Sequence, residues 1–327
     1  MEFKNFTAGS DDEGRRFDRI LRIFLKEKSL GEIYKLLRKG LIKLNDKKAA
    51  PECHVSKGDK ISIAAFLFDD KTSPANATES GTDTAPDLDI VYENEHLLII
   101  NKPYDRTVHG EKDGIYKDVL TYWNKNCKAE TDSLSFKPGP LHRLDRRTTG
   151  LLVFSKSLEG ARWFSDCIKN HTIRKEYYAL LNGTLPAEVC WEDYIQASED
   201  DELNGFHTVK VISGADSSQN SGCKAITIAK PVCYGKLNGK TITLAEVEIK
   251  TGRKHQIRAQ SALHGYPLFG DSAYGAPESQ GENFYLQAFR LSFPKDNPLN
   301  LPEEIKIGLN SYFITQLQCC EIENPGL

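Results

Sequence analysis

The chain has 327 residues, 39% hydrophobic and 27% charged, with a formal net charge of −3, enough for two globular domains. No apolar run approaches the roughly 20 residues that span a bilayer, and the polar, acidic stretch from Met1 to Gly14 lacks a signal-peptide core, so a cytoplasmic protein is expected. Its eight cysteines include no C-x-x-C pair and none beside a histidine at metal-ligand spacing, and no glycine-rich phosphate loop is present, so neither a metal nor a nucleotide cofactor is expected.

Phe17, Ile20, Leu21, Phe24 and Leu25 recur at helical spacing and predict an amphipathic helix, with Arg15, Arg16, Arg19, Arg22 and Lys26 on its other surface. Ile33, Tyr34, Leu36 and Leu37 predict a second helix that exposes Lys35, Arg38 and Lys39 and ends at Gly40. Short strands follow at Leu41–Leu44 and Lys60–Ile63, with turns at Asn45-Asp46 and Lys57-Gly58-Asp59. Between Gly14 and Lys60, 14 Lys and Arg face six Asp and Glu, a net of +8 that leaves −11 for the rest of the chain. Solvated helix faces alone can produce such a count. The asymmetry nevertheless favours a nucleic-acid handle on a larger body.

Asp69 to Asp87 is rich in Asp, Ser, Thr, Ala, Gly and Pro and predicts a flexible linker over 68–88. A second domain is expected over 89–327. Ile90–Tyr92 and Leu97–Ile100 predict a hairpin. Further strands are expected at Leu151–Ser155, Tyr177–Leu181, Lys224–Cys233 and Thr243–Lys250, with helices at Leu158–Lys169 and His255–His264. Strands and helices do not alternate regularly, so the expected class is α+β.

The segment His142-Arg143-Leu144-Asp145-Arg146-Arg147-Thr148-Thr149-Gly150 precedes an apolar run. Cations packed around a carboxylate favour its ionised form and attract a polyanion. A salt-bridge cluster at a strand edge is an equally good reading on spacing alone. Two more clusters follow: Lys175-Glu176-Tyr177-Tyr178-Ala179, and Thr251-Gly252-Arg253-Lys254-His255-Gln256-Ile257-Arg258 with Gly270-Asp271-Ser272-Ala273-Tyr274-Gly275 shortly after. Each alone has a bland reading, as a strand core, a helix start with a surface histidine, and a turn.

In series they resemble the RluA family of pseudouridine synthases. The family signature His-Arg-Leu-Asp-x-x-Thr-Ser-Gly is met by His142 to Gly150 with Thr149 for Ser. Lys-x-Tyr-x-Ala is met by Lys175, Tyr177 and Ala179, and Thr-Gly-Arg-x-His-Gln-Ile/Leu-Arg by Thr251 to Arg258. Asn101-Lys102-Pro103 and Val108-His109 match an earlier family element. Arg16 to Ile63 resembles an S4 domain, a small RNA-binding module expected over 14–67. The combination is similar to the RluC/RluD-like branch of the family.

The resemblance implies a small S4 domain followed by a catalytic domain with a mixed, mostly antiparallel sheet flanked by helices. It implies isomerisation of uridine to pseudouridine by a monomer acting on RNA, with large-subunit (23S) ribosomal RNA the expected substrate and transfer RNA an alternative. It assigns Asp145 as nucleophile, Arg258 as its salt-bridge partner and Tyr177 as the ring that stacks on the uracil. Arg143 would fill the space a flipped nucleotide leaves, and His142 and Arg253 would contact phosphate or base. Arg19, Arg22, Lys35, Arg38 and Lys39 would bind RNA through the S4 module. The reaction has no redox change, so no cofactor is expected. Whether Asp145 attacks ribose or base stays open. Two positions depart from the pattern: Asp105 replaces a glycine, which predicts a rebuilt loop, and Gln287 replaces a histidine, which predicts altered substrate contacts. The competing classes are a non-catalytic RNA-binding or ribosome-assembly protein, and a glycoside hydrolase pairing Asp145 with Asp271, which otherwise reads as a buried turn cap.

Overall fold

The computed structural model describes residues 1–68, 87–110, 114–126, 133–134, 136–197, 208–213, 222–277 and 280–322. Apart from Phe68, Asp87 and Leu88, the expected linker lies outside the described residues. The chain divides into two units. The first comprises Met1–Asp87 with Asp118–Gly139 and Lys156–Glu159, and the second comprises Leu88–Lys117, Pro140–Ser155 and Gly160–Leu327.

In the first unit, strands β1 (Phe3–Thr7), β2 (Ile42–Leu44) and β3 (Lys60–Ala64) form an antiparallel sheet in the order β1-β3-β2. Helices α1 (Phe17–Phe24) and α2 (Leu30–Lys39) share one core with it. The helical periodicity follows from burial: Phe17, Ile20, Leu21 and Ile33 are fully enclosed beside Ile42, Ile61 and Ile63. Each such side chain contributes about 1.5–3 kcal/mol relative to exposure. Helix α2 starts with a capping box in which Ser29 and Glu32 exchange hydrogen bonds, and it ends at Gly40 with φ +72°. Strand β1 lies in a stretch that reads as a polar terminus. Its Phe6 packs on Phe24 at 4.4 Å between ring centroids, a long-range contact with no local signature.

The first unit also takes in later residues. The buried Asp12 carboxylate accepts hydrogen bonds from Gly9 N–H at 2.9 Å and from Leu134 N–H at 2.8 Å, and Leu134 packs on the same core. Cutting the chain near residue 89 would therefore uncover this core.

The second unit holds a ten-stranded mixed sheet. Its strands are β4 (Ile90–Glu93), β5 (Leu97–Lys102), β6 (Thr149–Ser155), β7 (Arg174–Asn182), β8 (Val189–Ala197), β9 (Val209–Ser213), β10 (Cys223–Leu237), β11 (Lys240–Ile249), β12 (Leu286–Ser292) and β13 (Glu304–Lys306). The order is β4-β5-β6-β12-β7-β11-β10-β8-β9, with β13 beside β12. Among the described residues, β6–β12 is the parallel pair and the other neighbours run antiparallel. Helices α5 (Gln256–Leu263) and α6 (Ser311–Cys319) belong to this unit, while α3 (Ile115–Asn126) and α4 (Leu158–Lys169) carry residues of both. The α+β expectation holds.

Strand β6 is buried along its whole length, as is β7 from Lys175 to Leu181. Such strands read as continuous apolar runs because neighbours cover both faces. The expected strands are present, several of them longer than the sequence implies. Strands β8, β9, β12 and β13 and helices α3 and α6 go beyond the predicted elements. Gln287, the replacement for a family histidine, sits fully buried on β12. Its Nε2 donates to the Gly308 carbonyl at 2.7 Å and its Oε1 accepts from Asn310 N–H at 3.0 Å. Asn310 caps α6 and reaches Thr149 Oγ1 at 2.8 Å. Gln287 thus ties the start of α6 to the sheet.

Candidate active site

Asp145 sits in the loop that leads into β6. The loop is fixed from three sides. Gly150 has φ +104°, and a Cβ there would lie 2.1 Å from the Ala288 carbonyl oxygen, so a glycine lets β6 approach β12. Thr148 N–H donates to the Asp145 carbonyl at 3.1 Å. Lys102, fully buried at the end of β5, donates to the carbonyls of Pro103 at 3.0 Å and Arg146 at 2.9 Å. Burial pulls the Lys102 ammonium down to about 7. The lysine of the Asn-Lys-Pro element is therefore a staple for the loop that carries Asp145.

For Asp105 the sequence predicts a rebuilt loop. The residue instead keeps a left-handed conformation, φ +56°, which Asp tolerates better than most residues. Its carboxylate accepts from Arg146 Nε at 2.8 Å.

The Asp145 carboxylate faces the start of α5. Arg258 Nη1 lies 3.5 Å from Oδ2 and His255 Nε2 lies 3.7 Å from Oδ1. Arg258 has nearer partners in Asp271, to which its Nε and Nη2 donate at 2.7 and 2.8 Å. Its guanidinium also lies over the rings of Phe284 at 4.3 Å and Tyr274 at 4.9 Å. The expected Arg258–Asp145 pair is thus the looser end of a three-member array. Asp271 makes no capping hydrogen bond to the turn it precedes, and the turn-cap reading is corrected. It is a buried anchor for the arginine.

His255 carries φ +53° immediately before α5. Its place at a helix start reads as a surface position, but its side chain is only 15% exposed. Behind it a buried chain of hydrogen bonds locks α5 to the sheet. Thr251 Oγ1 donates to Gln256 Oε1 at 2.7 Å, Gln256 Nε2 to Thr227 Oγ1 at 2.9 Å, Thr227 Oγ1 to Gln260 Oε1 at 2.7 Å, and Gln260 Nε2 to Asp193 Oδ2 at 2.6 Å.

Asp145, Tyr177, His255 and Arg258 all line a cavity of about 620 Å³. Tyr177, 5% exposed, sits mid-strand on β7. Burial, reinforced by the Asp145 charge, pushes its phenol well above the usual range, so the hydroxyl keeps its proton. Lys175 lines the same cavity, buried, and burial lowers its ammonium pKa. A Cβ on Gly252 would meet its Nζ at 3.3 Å.

The other expected contacts separate. Arg143 is exposed at the cavity edge. Arg253 is exposed there too, with its Nε held by the Lys224 carbonyl at 3.0 Å. His142 is different. Its Nε2 accepts from Val153 N–H at 3.2 Å and its ring stacks on Phe164, with centroids 6.1 Å apart. Burial and the Lys175 charge hold its pKa at about 3. His142 also lines the cavity, but its Nε2 is taken by the backbone, so no phosphate contact is proposed through that nitrogen.

In the first unit, Arg19, Arg22, Lys35, Arg38 and Lys39 are all exposed, and none has a carboxylate within ion-pair distance among the described residues. Arg16 is spoken for by Asp18 at 2.7 Å. Among the described residues no cluster of three or more His, Cys, Asp or Glu is placed to hold a metal ion, and no helix is long and apolar enough to cross a membrane.

Residues 96–263 match the family model described as RNA pseudouridylate synthase. The chain is 27% identical to "Ribosomal large subunit pseudouridine synthase C" of Escherichia coli (strain K12) over 82% of this chain and 79% of that one. The protein of the same name from Haemophilus influenzae is 26% identical over 91% of this chain and 88% of that one. Among solved structures, Human RNA Pseudouridylate Synthase Domain Containing 1 superposes with a TM-score of 0.56 at 24% identity, covering 73% of this chain and 90% of that chain; this likeness speaks for the fold.

Proposed function

Because the chain belongs to the RNA pseudouridylate synthase family, we propose that Asp145 is the nucleophile with which it isomerises uridine, and that its substrate is large-subunit ribosomal RNA. The chain is an RNA pseudouridine synthase, and RNA is its substrate class. The observation that carries the assignment of Asp145 is the array Asp271–Arg258–Asp145 opening into the cavity that Tyr177 lines.

The reaction breaks the C1′–N1 bond of uridine, turns the uracil and joins C5 to C1′. N1 gains a proton and C5 loses one, so atoms and electrons balance within the nucleotide. The target must leave the helical stack to reach a carboxylate at the bottom of a cavity. Arg143, exposed at the rim, is placed to enter the gap. The Tyr177 ring forms a wall against which uracil can stack. Asp145 acts on the opened nucleotide as a covalent nucleophile, or by stabilising an oxocarbenium-like centre. Arg258, pinned by Asp271, fixes the carboxylate and cannot swing away with substrate.

A hydrolase pairing Asp145 with Asp271 is disfavoured by geometry. Asp271 is 1% exposed with both oxygens engaged by Arg258, so it has no free face for a leaving group. The two chemistries separate on RNA labelled at uracil C5: isomerisation releases the C5 label and leaves the base attached, whereas hydrolysis releases labelled uracil.

Tyr177→Phe keeps the stacking ring and removes the hydroxyl. Single-turnover rate is expected to fall by roughly 10²–10³-fold if the hydroxyl moves a proton, with RNA affinity held within about twofold. An unchanged rate would reduce Tyr177 to a stacking platform.

Residues 14–67, within the first unit, are proposed to be an S4-like RNA-binding module and residues 89–327 the catalytic domain, in a protein that acts as a monomer in the cytoplasm. The exposed cations of α1 and α2 support this reading. The test keeps the chain whole and the core intact: Arg19, Arg22, Lys35, Arg38 and Lys39 are changed together to Gln. Each phosphate contact contributes about 0.7 to 0.9 to the slope of log K against log salt, so roughly four lost contacts lower it by about three units. An unchanged slope would remove this face from the RNA interface. Transfer RNA as substrate is tested by mapping pseudouridine in total RNA with and without the gene.

A further inference from the structure

We propose that His255 is a positioning residue for Asp145: it presents a protonated Nε2 to Oδ1, while Arg258 holds Oδ2. This rests on the reading of Asp145 as nucleophile. Tyr274 sets the tautomer. Val209 N–H donates to the Tyr274 hydroxyl oxygen at 2.9 Å, so that oxygen accepts there. The hydroxyl proton is then free to go to His255 Nδ1, 2.9 Å away. Nδ1 as acceptor places the ring proton on Nε2. The other end of the ring agrees, since Nε2 faces a carboxylate oxygen at 3.7 Å and an unprotonated nitrogen there would set lone pair against negative charge. Burial outweighs the opposing Asp145 charge and, with the Arg258 charge also acting, lowers the His255 pKa to about 4, so the ring is neutral at physiological pH. A neutral donor can orient the carboxylate without neutralising it.

The Arg258 hydrogen bond to Asp145, at 3.5 Å, is at the long end of the range, and the His255 contact, at 3.7 Å, lies beyond it. Catalytic contacts often close only when substrate binds. With a donor facing each oxygen, that closure sets the carboxylate plane. His255 holds a left-handed backbone, φ +53° and ψ +22°, immediately before the first residue of α5.

The backbone also supplies the competing explanation, and the two make opposite predictions. If residue 255 matters only because its backbone is left-handed, His255→Asn is the mild change, since Asn tolerates αL well. If the Nε2 donor matters, His255→Gln is the mild change, because the Gln amide nitrogen reaches the Nε2 position whereas that of Asn stops near Nδ1. The experiment measures single-turnover rate, RNA affinity and melting temperature for His255→Gln, His255→Asn and His255→Leu, with Asp145→Asn alongside. The expected result is a rate within about fivefold of wild type for Gln, and losses on the order of 10²-fold for Asn and Leu, the cost of a misaligned reactive group. RNA affinity stays unchanged, and the rate order does not follow the melting temperatures. Asn equal to or faster than Gln, or all three equal to wild type, overturns the inference while a dead Asp145→Asn leaves the nucleophile in place. An active Asp145→Asn overturns both.

Discussion

Asp145→Asn lowers pseudouridine formation by roughly a thousandfold or more, because an amide keeps the shape of the carboxylate and not its nucleophilicity. The expected loss is confined to chemistry. Asp145 is 25% exposed on its side chain, and Arg258 and the neutral His255 stand at 3.5 and 3.7 Å, so little folding energy depends on it. Partly exposed pairs of this kind contribute about 0–1 kcal/mol. Melting temperature and RNA affinity should therefore stay close to wild type. The measurement is release of label from uracil C5 under single turnover, with binding followed separately. Turnover within tenfold of wild type would remove Asp145 from the mechanism.

Asp271→Asn has the opposite profile, with a large effect on stability as well as on turnover. Asp271 and Arg258 are 1% and 8% exposed, joined by bonds of 2.7 and 2.8 Å. Removing one partner of such a pair strands a charge in a dry site and costs about 3–5 kcal/mol. For a unit of this size that is a drop of roughly 10 °C in melting temperature. Activity falls too, since Arg258 loses the anchor that aims its remaining nitrogen at Asp145. A double change, Arg258→Met with Asp271→Leu, separates the two effects. Apolar replacement of a buried pair often restores stability, so the double variant should melt well above Asp271→Asn yet remain inactive. Full activity in Asp271→Asn would show that the array does not position the nucleophile.

The two profiles are distinguishable because the array is graded. Its inner end is buried and structural, and its outer end is open and chemical. Arg258 belongs to both, so one arginine serves as scaffold and as the neighbour of Asp145.

Much of this is legible in the chain. The helices of the first unit follow from apolar spacing, because Phe17, Ile20, Leu21 and Ile33 must face one core and their cationic neighbours cannot. The position of Asp145 follows from a motif, since a short run of residues carries its own local geometry. Motifs also place Tyr177 and Arg258. Other features have no local signature. Strand β1 exists because Phe6 meets Phe24, and Leu134 belongs with the first unit because Asp12 accepts its N–H. Asp271 reads as a turn residue, and only the approach of α5 gives it an arginine. His142 stands in the central motif, and only the fold gives its Nε2 to Val153 N–H. His255 reads as a surface residue, and the fold brings it within 3.7 Å of Asp145. The sequence by itself determined which residue types were available and the periodicity of the elements that bury them. The tertiary structure decided which partner each charge and each ring nitrogen would have. Those pairings join residues as far apart as Asp145 and Arg258, and burial makes them exclusive, since a group removed from water must find its partner among whatever the fold brings within reach.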